Sequence, residues 1–474
     1  MKFISEKPMW AGFALFFSMY YVLGANPDIL REIGVPVSAA LLGTFLAIIV
    51  GNFSGAFFTK TGLMIAPAIG ISIFVKNFVL NSDHVIDWRH AMVACVIAGL
   101  AVAVTSFFTD WRDQIVKDLP ESVKKGAKAG IGALLVKEGF DIFKKAEDSF
   151  HLEPRGAGMA VAIGVVFLVL FFLIRRSIEN NSRSALSALQ FIMHLEFVFV
   201  VVLISSYLWL FQPEYISALP ETSQVSILWL EPIVRTSWHI NFNVCMLILL
   251  FAATVWFIVI SDIPGTPSEV LPEKLEDVAT DGTETAPEGY QSARDKAVKL
   301  GYRNDGVFAS LAPLFGTTPT IYYAENQILK SFGQTGEYSS AVGYWAASLF
   351  ALVFIVLVIG QISGHQIPID RYLSPVAVTP ILIFIGLYII SVSFFDIPSA
   401  AAAPSTRNPE YYFPTAVSVI LTSRIGLEYT LPLSILSFWL VRSAGEKYGP
   451  SFIWISIGSG VSLIIFGALF VFGS

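Results

Sequence analysis

The sequence predicts an all-α polytopic membrane protein of about fourteen transmembrane segments, arranged as a 7+7 inverted repeat with two half-helices. Three observations carry that expectation. The 474 residues are 55% hydrophobic and 14% charged, against about 25% charged in a soluble domain, and mean hydropathy is +0.67. Apolar runs long enough to cross a hydrocarbon core recur from end to end. The prolines that interrupt some of these runs fall at matching intervals in the two halves.

The runs, in order, are Phe13–Leu23, Val37–Phe58, Met92–Phe108, Gly158–Ile174, Phe197–Phe211 with its flanks, Val244–Ile260, Ala341–Gly360, Val376–Ile390 and Phe452–Phe472. The one starting near Met9 continues into Gly24-Ala-Asn-Pro27 without a small-residue cleavage site, so it reads as a first span and not as a signal peptide. Shorter, interrupted segments complete the count. Breaks are expected at Asn26-Pro27, Ala66-Pro67 and Leu119-Pro120 in the first half, and at Ile263-Pro264, Thr318-Pro319 and Ser374-Pro375 in the second. An odd number of spans per half makes the repeats inverted, and paired Gly/Pro-interrupted segments mark a midplane binding site.

Arg112, Lys117, Lys124 and Lys125 crowd one loop, and Arg175, Arg176 and Arg183 another two spans on. The positive-inside rule makes both loops, and the amino terminus, cytoplasmic, although Lys144, Lys145 and Arg155 lie on the opposite side. The formal charge of −6 comes largely from the acidic loop 267–290, where Pro267–Glu288 carries seven acids against one lysine and reads as solvated. Cys95 and Cys245 both sit in apolar runs and read as packed side chains. No HExxH, GxSxG or phosphate-binding loop is present, which argues against an embedded enzyme or an ATP-driven pump. No cofactor, metal or nucleic-acid partner is expected.

The stretch Gly316–Asn326, GTTPTIYYAEN, sets Pro319 beside Glu325 in apolar surroundings. Its counterpart, Gly62–Phe78, runs through Pro67 to Gly70, Ser72 and Phe74 at a helix start. Irregular backbone at membrane depth survives only where it is buried in protein or lines a cavity, and an intramembrane carboxylate is costly enough to suggest function. Two half-helices with facing amino termini suit a polar or anionic ligand. Glu325 can accept hydrogen bonds from the N–H groups of a flat heterocycle, with Phe74 or Tyr322 stacked on its face and Thr318 nearby. Asp262, where Pro264 and Gly265 loosen a helix, is a candidate proton carrier. Asp305 is expected to cap a helix, and Lys76, Lys137 and Glu138 to reach for headgroups. His194 and Glu196, two apart, face different directions.

At these residues the chain resembles the nucleobase/cation symporter superfamily of xanthine/uracil permeases, and within it the adenine/guanine/hypoxanthine permease branch. GANPDIL at 24–30, APAIGISIF at 66–74, AGIGALL at 129–135, Asp262 to Thr266, Asp305, Gly316 to Glu325 and FGQTG at 332–336 follow the family's motifs in order. The resemblance implies a core domain (1–115 and 237–362, segments 1–4 and 8–11) and a gate domain (116–236 and 363–474, segments 5–7 and 12–14). It implies proton-coupled uptake of a purine nucleobase by elevator-like movement of core against gate in the lipid bilayer, often as a homodimer. Sodium is the alternative coupling ion, and the lack of long soluble domains and targeting peptides points to a bacterial-type inner or plasma membrane. By position, Asp262 becomes the coupling and substrate carboxylate and Glu325 the purine-binding one, and both are assigned to proton coupling. Ser72 and Phe74 belong to the facing half-helix, with Gly265, Thr266, Asp305 and Gly316 in support. The chain differs from the branch at Ala68–Ser72 and at Asn326–Leu329, so Asn326 becomes a candidate for a new amide contact to the substrate. An anion cargo, as in related sulfate permeases, keeps the fold; two carboxylates argue against it. A non-transporting scaffold has little use for two acids beside broken helices.

Overall fold

The computed structural model describes residues 6–80, 86–108, 118, 120–150, 153–181, 195–218, 242–261, 267–271, 290–332, 339–363, 374–395, 413–420, 435–440 and 456. These contain α1 (Glu6–Met19), α2 (Val22–Arg31), α3 (Val37–Thr59), β1 (Ile65–Pro67), α4 (Ile69–Leu80), α5 (Trp88–Phe108), α6 (Glu121–Phe150), α7 (Pro154–Asn181), α8 (Glu196–Phe211) and α9 (Pro213–Ala218). The chain continues through α10 (Phe242–Ser261), α11 (Pro267–Val270), α12 (Tyr290–Leu311), β2 (Thr320–Tyr322), α13 (Ile328–Ser331), α14 (Ser340–Ile362) and α15 (Pro375–Phe395). Short 3₁₀ turns at Ala312–Phe315 and Ala324–Gln327 flank β2.

Among the described residues, five helical stretches are long and apolar enough to cross a membrane: Lys7–Arg31, Val37–Thr59, Trp88–Phe107, Arg155–Ile174 and Ser340–Gln361. Ile69–Leu80, Glu196–Phe211 and Pro375–Ser391 are shorter apolar helices. The expected fourteen segments therefore exceed what these residues establish, and the paired strands qualify the all-α expectation. Along α7, Met159, Ile163, Val166, Leu170 and Leu173 are exposed at helical spacing, forming an outward aliphatic stripe suited to an apolar solvent.

Where the first span breaks differs from expectation. Pro27 lies inside α2, and the discontinuity comes earlier, between α1 and α2. There Leu23 N–H donates to Tyr20 O and Gly24 N–H to Tyr21 O, a tightened turn that resets the helix before the proline. The consequence is to place Tyr21 at the break. Pro67 and Pro319 behave as expected: the first lies in β1, the second immediately precedes β2. Pro120 precedes α6, and Pro375 is the first residue of α15, where its missing N–H costs nothing.

The helices α6, α7 and α8 pack around α15, and α7 also against α8, while α3 packs against α14 and α12, and α5 against α12 and α10. Between α6 and α15 the backbones approach through glycines. A Cβ on Gly132 would stand 2.7 Å from the carbonyl oxygen of Gly386, and one on Gly139 3.2 Å from that of Thr379. The paired positions run in opposite directions, so the two helices are antiparallel. Small residues at such a crossing allow the close packing that joins helices where water does not drive association.

Two charged residues also differ from expectation. Lys76 and Glu138 do not reach outward: they are 5% and 2% exposed. Lys76 Nζ lies 2.6 Å and 2.5 Å from the two carboxylate oxygens of Glu138. Burial without water favours this mutual pairing over solvation of either charge alone.

Gly386→Ala should lower the stability of the detergent-solubilised protein by about 1–3 kcal/mol, the usual range for overpacking. Thermal unfolding measures it, and an unchanged melting temperature would contradict the close α6–α15 crossing.

Candidate functional site

Two three-residue strands meet in the interior, both largely buried. β1 and β2 pair antiparallel in the register Ile65↔Tyr322, Ala66↔Ile321 and Pro67↔Thr320. Ala68 N–H extends the ladder to Pro319 O at 3.1 Å. A two-stranded ribbon leaves outer backbone groups unpaired, and in apolar surroundings those groups need other partners. Two asparagines provide them. Asn52 of α3 accepts from Ile65 N–H at 2.6 Å and donates to Ile65 O at 2.8 Å. Asn326 accepts from Met64 N–H at 2.8 Å and donates to Met64 O at 2.9 Å. Tyr323 donates its hydroxyl to Pro67 O, and Tyr322 its own to Gly301 O of α12 at 3.0 Å.

Behind the ribbon lies a buried polar knot. Asn26 Nδ2 donates to Thr44 Oγ1 at 2.8 Å and to Thr317 Oγ1 at 2.7 Å. Its Oδ1 accepts from the Ser72 hydroxyl at 2.5 Å, and Ser72 Oγ lies 2.7 Å from Thr318 Oγ1. All five side chains are essentially inaccessible. The knot ties α2 and α3 to the start of α4 and to the chain just before β2, so it fixes both broken segments relative to the first spans.

Glu325 follows β2 in a 3₁₀ turn and is half-buried. Tyr21, at the α1–α2 break, donates its hydroxyl to Glu325 Oε1 at 3.1 Å. The Tyr21 ring also meets the ring of Phe197 of α8 edge-on, with centroids 6.0 Å apart. Phe197 continues to Phe384 of α15 and from there to Phe172 and Tyr388. A carboxylate acceptor thus sits between the ribbon and an aromatic wall. It can bind N–H donors of a flat, apolar-faced ligand.

The residues singled out from sequence separate into Glu325, held by Tyr21, and those packed into the surrounding scaffold. Ser72 and Thr318 are brought together, but within the knot. Phe74 is buried with one face stacked on Phe251 of α10, with centroids 5.0 Å apart and planes 11° apart. Tyr322 is buried and bonded to α12. Asn326 spends both ends of its amide on Met64, so it belongs to the scaffold. Gly316 adopts a positive φ of 87° at the end of a 3₁₀ turn, a conformation that glycine takes without steric cost. Asp305 is fully buried and lies well inside α12, one turn beyond Gly301, and not at the start of its own helix. Asp262, Gly265, Thr266 and most of the acidic loop lie outside the described residues. Sequence reasoning missed Tyr21, Thr44, Asn52 and Phe251. Asn52 carried a usable signal, an amide in the middle of an apolar run, whereas Tyr21 looked like any aromatic of a first span.

The family model for xanthine/uracil permeases, described as "Permease family", matches residues 6–347. The chain belongs to this family. The permease is similar to the nucleobase transporter PlAzg2 of Paenibacillus larvae, 24% identical over 80% of this chain and 68% of that one. It is 32% identical to the guanine/hypoxanthine permease PbuO of Bacillus subtilis over 27% of this chain, a stretch spanning only 30% of that relative. With the adenine permease AdeP of Escherichia coli it shares 28% identity over 26% of this chain and 28% of the relative. Among solved structures, the transmembrane domain of the cyanobacterial bicarbonate transporter BicA superposes with a TM-score of 0.54 at 14% identity, covering 89% of this chain and 96% of that domain. SLC26A9 gives 0.52 at 12% identity, over 92% and 64%. Those two likenesses show the fold of an integral membrane transporter.

Asn326→Ala in the permease should lower stability without any ligand, by about 1–3 kcal/mol for each Met64 group left unpaired. Thermal unfolding of the ligand-free protein reads this loss. A variant as stable as the parent, altered only in ligand affinity, would return Asn326 to the binding site.

Proposed function

We propose that the permease carries purine nucleobases, with a proton as the coupling ion, by elevator-like movement of a core domain against a gate domain. The observation that carries this reading is Glu325. It stands just after the ribbon joining the two broken segments, held through one oxygen by Tyr21, whose ring in turn meets Phe197 edge-on. A carboxylate accepts up to four hydrogen bonds, so the grip of Tyr21 leaves capacity for the ring N–H and amino groups of a purine. The relatives named for guanine, hypoxanthine, adenine and nucleobase transport support the same class.

The inverted repeat is supported by paired roles in the two halves. Pro67 and Pro319 lie at the antiparallel ribbon, and Pro120 and Pro375 start the antiparallel helices α6 and α15. In this reading α6, α7, α8 and α15 belong to the gate, and the ribbon, α4 and α12 to the core. Lys124 and Lys125 near the start of α6 and Arg175 and Arg176 near the end of α7, the next helix along, agree with a cytoplasmic amino terminus. Asp262 would serve as the second carboxylate, carrying the coupling proton with Glu325. An anionic cargo is disfavoured because Glu325 has no cation paired with it among the described residues, and its charge would repel an anion.

Guanine, hypoxanthine, adenine or xanthine should raise the melting temperature of the purified protein, while sulfate should not. Glu325→Gln should remove that shift, since an amide offers fewer acceptor sites. A shift with sulfate alone, or with no base, overturns the substrate class. In proteoliposomes, an imposed inward proton gradient should accelerate base uptake. Uptake indifferent to collapse of that gradient would remove the proton from the cycle.

A further inference from the structure

We propose that Lys76 and Glu138 form a positioning pair, an ion bridge that clamps the half-helix α4, which follows β1, to α6 in the state seen here and must open in each transport cycle. The pair lies in the interior, where an isolated charge is expensive and a buried ion pair adds little net stability over apolar side chains of similar size. Its position gives it a use. Lys76 is one turn beyond Ser72, the α4 member of the polar knot, and two residues beyond Phe74. Glu138 lies in the middle of α6.

A second contact fixes the alignment of the two helices. A Cβ on Gly70 would stand 2.9 Å from Ile131 Cγ2 of α6. From Gly70 to Lys76 is about 9 Å along α4, and from Ile131 to Glu138 about 10.5 Å along α6. The near match means that α4 and α6 run side by side in the same direction between an apolar contact and an ionic one. Any displacement of α4 along α6 slides the apolar contact at small cost. It separates the ion pair at large cost, because both charges remain buried.

The bridge adjoins a wider set of charges toward the C-terminal end of α6. Glu32, just after α2, is 4.0 Å from Lys76 and 3.3 Å from Lys145 of α6. Arg31 pairs with Asp28 at 3.2 Å. Asp28, Arg31, Glu32 and Lys145 line one groove with Tyr215. Glu32 offers Lys76 a second carboxylate once the pair separates, which offsets part of the cost of opening the bridge.

This inference rests on the core and gate reading above, and the test separates the two. In proteoliposomes, Lys76→Glu and Glu138→Lys should each slow base uptake by roughly tenfold or more, while the double reversal Lys76→Glu/Glu138→Lys restores a substantial part. The apolar pair Lys76→Met/Glu138→Met should keep the fold and base affinity but change the maximal rate, a split that a purely structural pair would not produce. Single reversals that transport like the parent, or a folded double reversal no better than the worse single one, would overturn the proposal. A conformational readout needs no knowledge of the cargo. Spin labels at the lipid-exposed positions Leu100 of α5 and Met159 of α7, in a Cys245→Ala background, report the separation of the two helix groups. Lys76→Met should broaden or shift that distance distribution. An unchanged distribution removes the clamp whatever the substrate, whereas a shift in a protein that binds no purine retains the clamp and rejects the substrate.

Discussion

The ribbon between residues 65–67 and 320–322 is the constraint on which the rest of the permease depends. Six residues of extended backbone stand where helices would otherwise satisfy every N–H and C=O, and the apolar surroundings supply no water to replace them. Pairing the two segments with each other solves half of the problem. Asn52 and Asn326 solve much of the remainder, each presenting an amide side chain as a short substitute for another strand. A break bonded in this way can then hold a carboxylate in place.

From that ribbon, two kinds of polar contact spread with different consequences. The Asn26–Thr44–Thr317–Ser72–Thr318 knot is neutral and densely bonded, so it joins parts that must stay together. The Lys76–Glu138 bridge is charged and spans two helix groups, with Glu32 close by to take Lys76. Neutral networks lose several weak bonds when broken and have little to gain elsewhere. An ion pair near other charges has discrete alternatives, the property a moving interface requires.

Tyr21 links these levels. The tightened turn ahead of Pro27 puts it at the end of a helix, so that its hydroxyl reaches Glu325 while its ring meets Phe197. One side chain therefore touches both the candidate ligand carboxylate and the aromatic wall on the other helix group. A change in the position of either is felt by the other through a single rigid ring.

Much of this was legible in the amino-acid sequence. Composition and run length determined a polytopic membrane protein, because burying so apolar a chain in water is not feasible. Proline spacing located the broken segments at Pro67 and Pro319, since a missing donor and a fixed φ act locally. Glu325 stood out as an acid in apolar surroundings, and the family followed from motif order. The partners were decided only by tertiary structure. Asn326 became scaffold and Lys76 became a clamp because Met64 and Glu138, each more than sixty positions away in sequence, arrive beside them on folding. A side chain's type states what it can bond. Which of its possible partners it meets is set by packing between distant segments, and no local pattern encodes that.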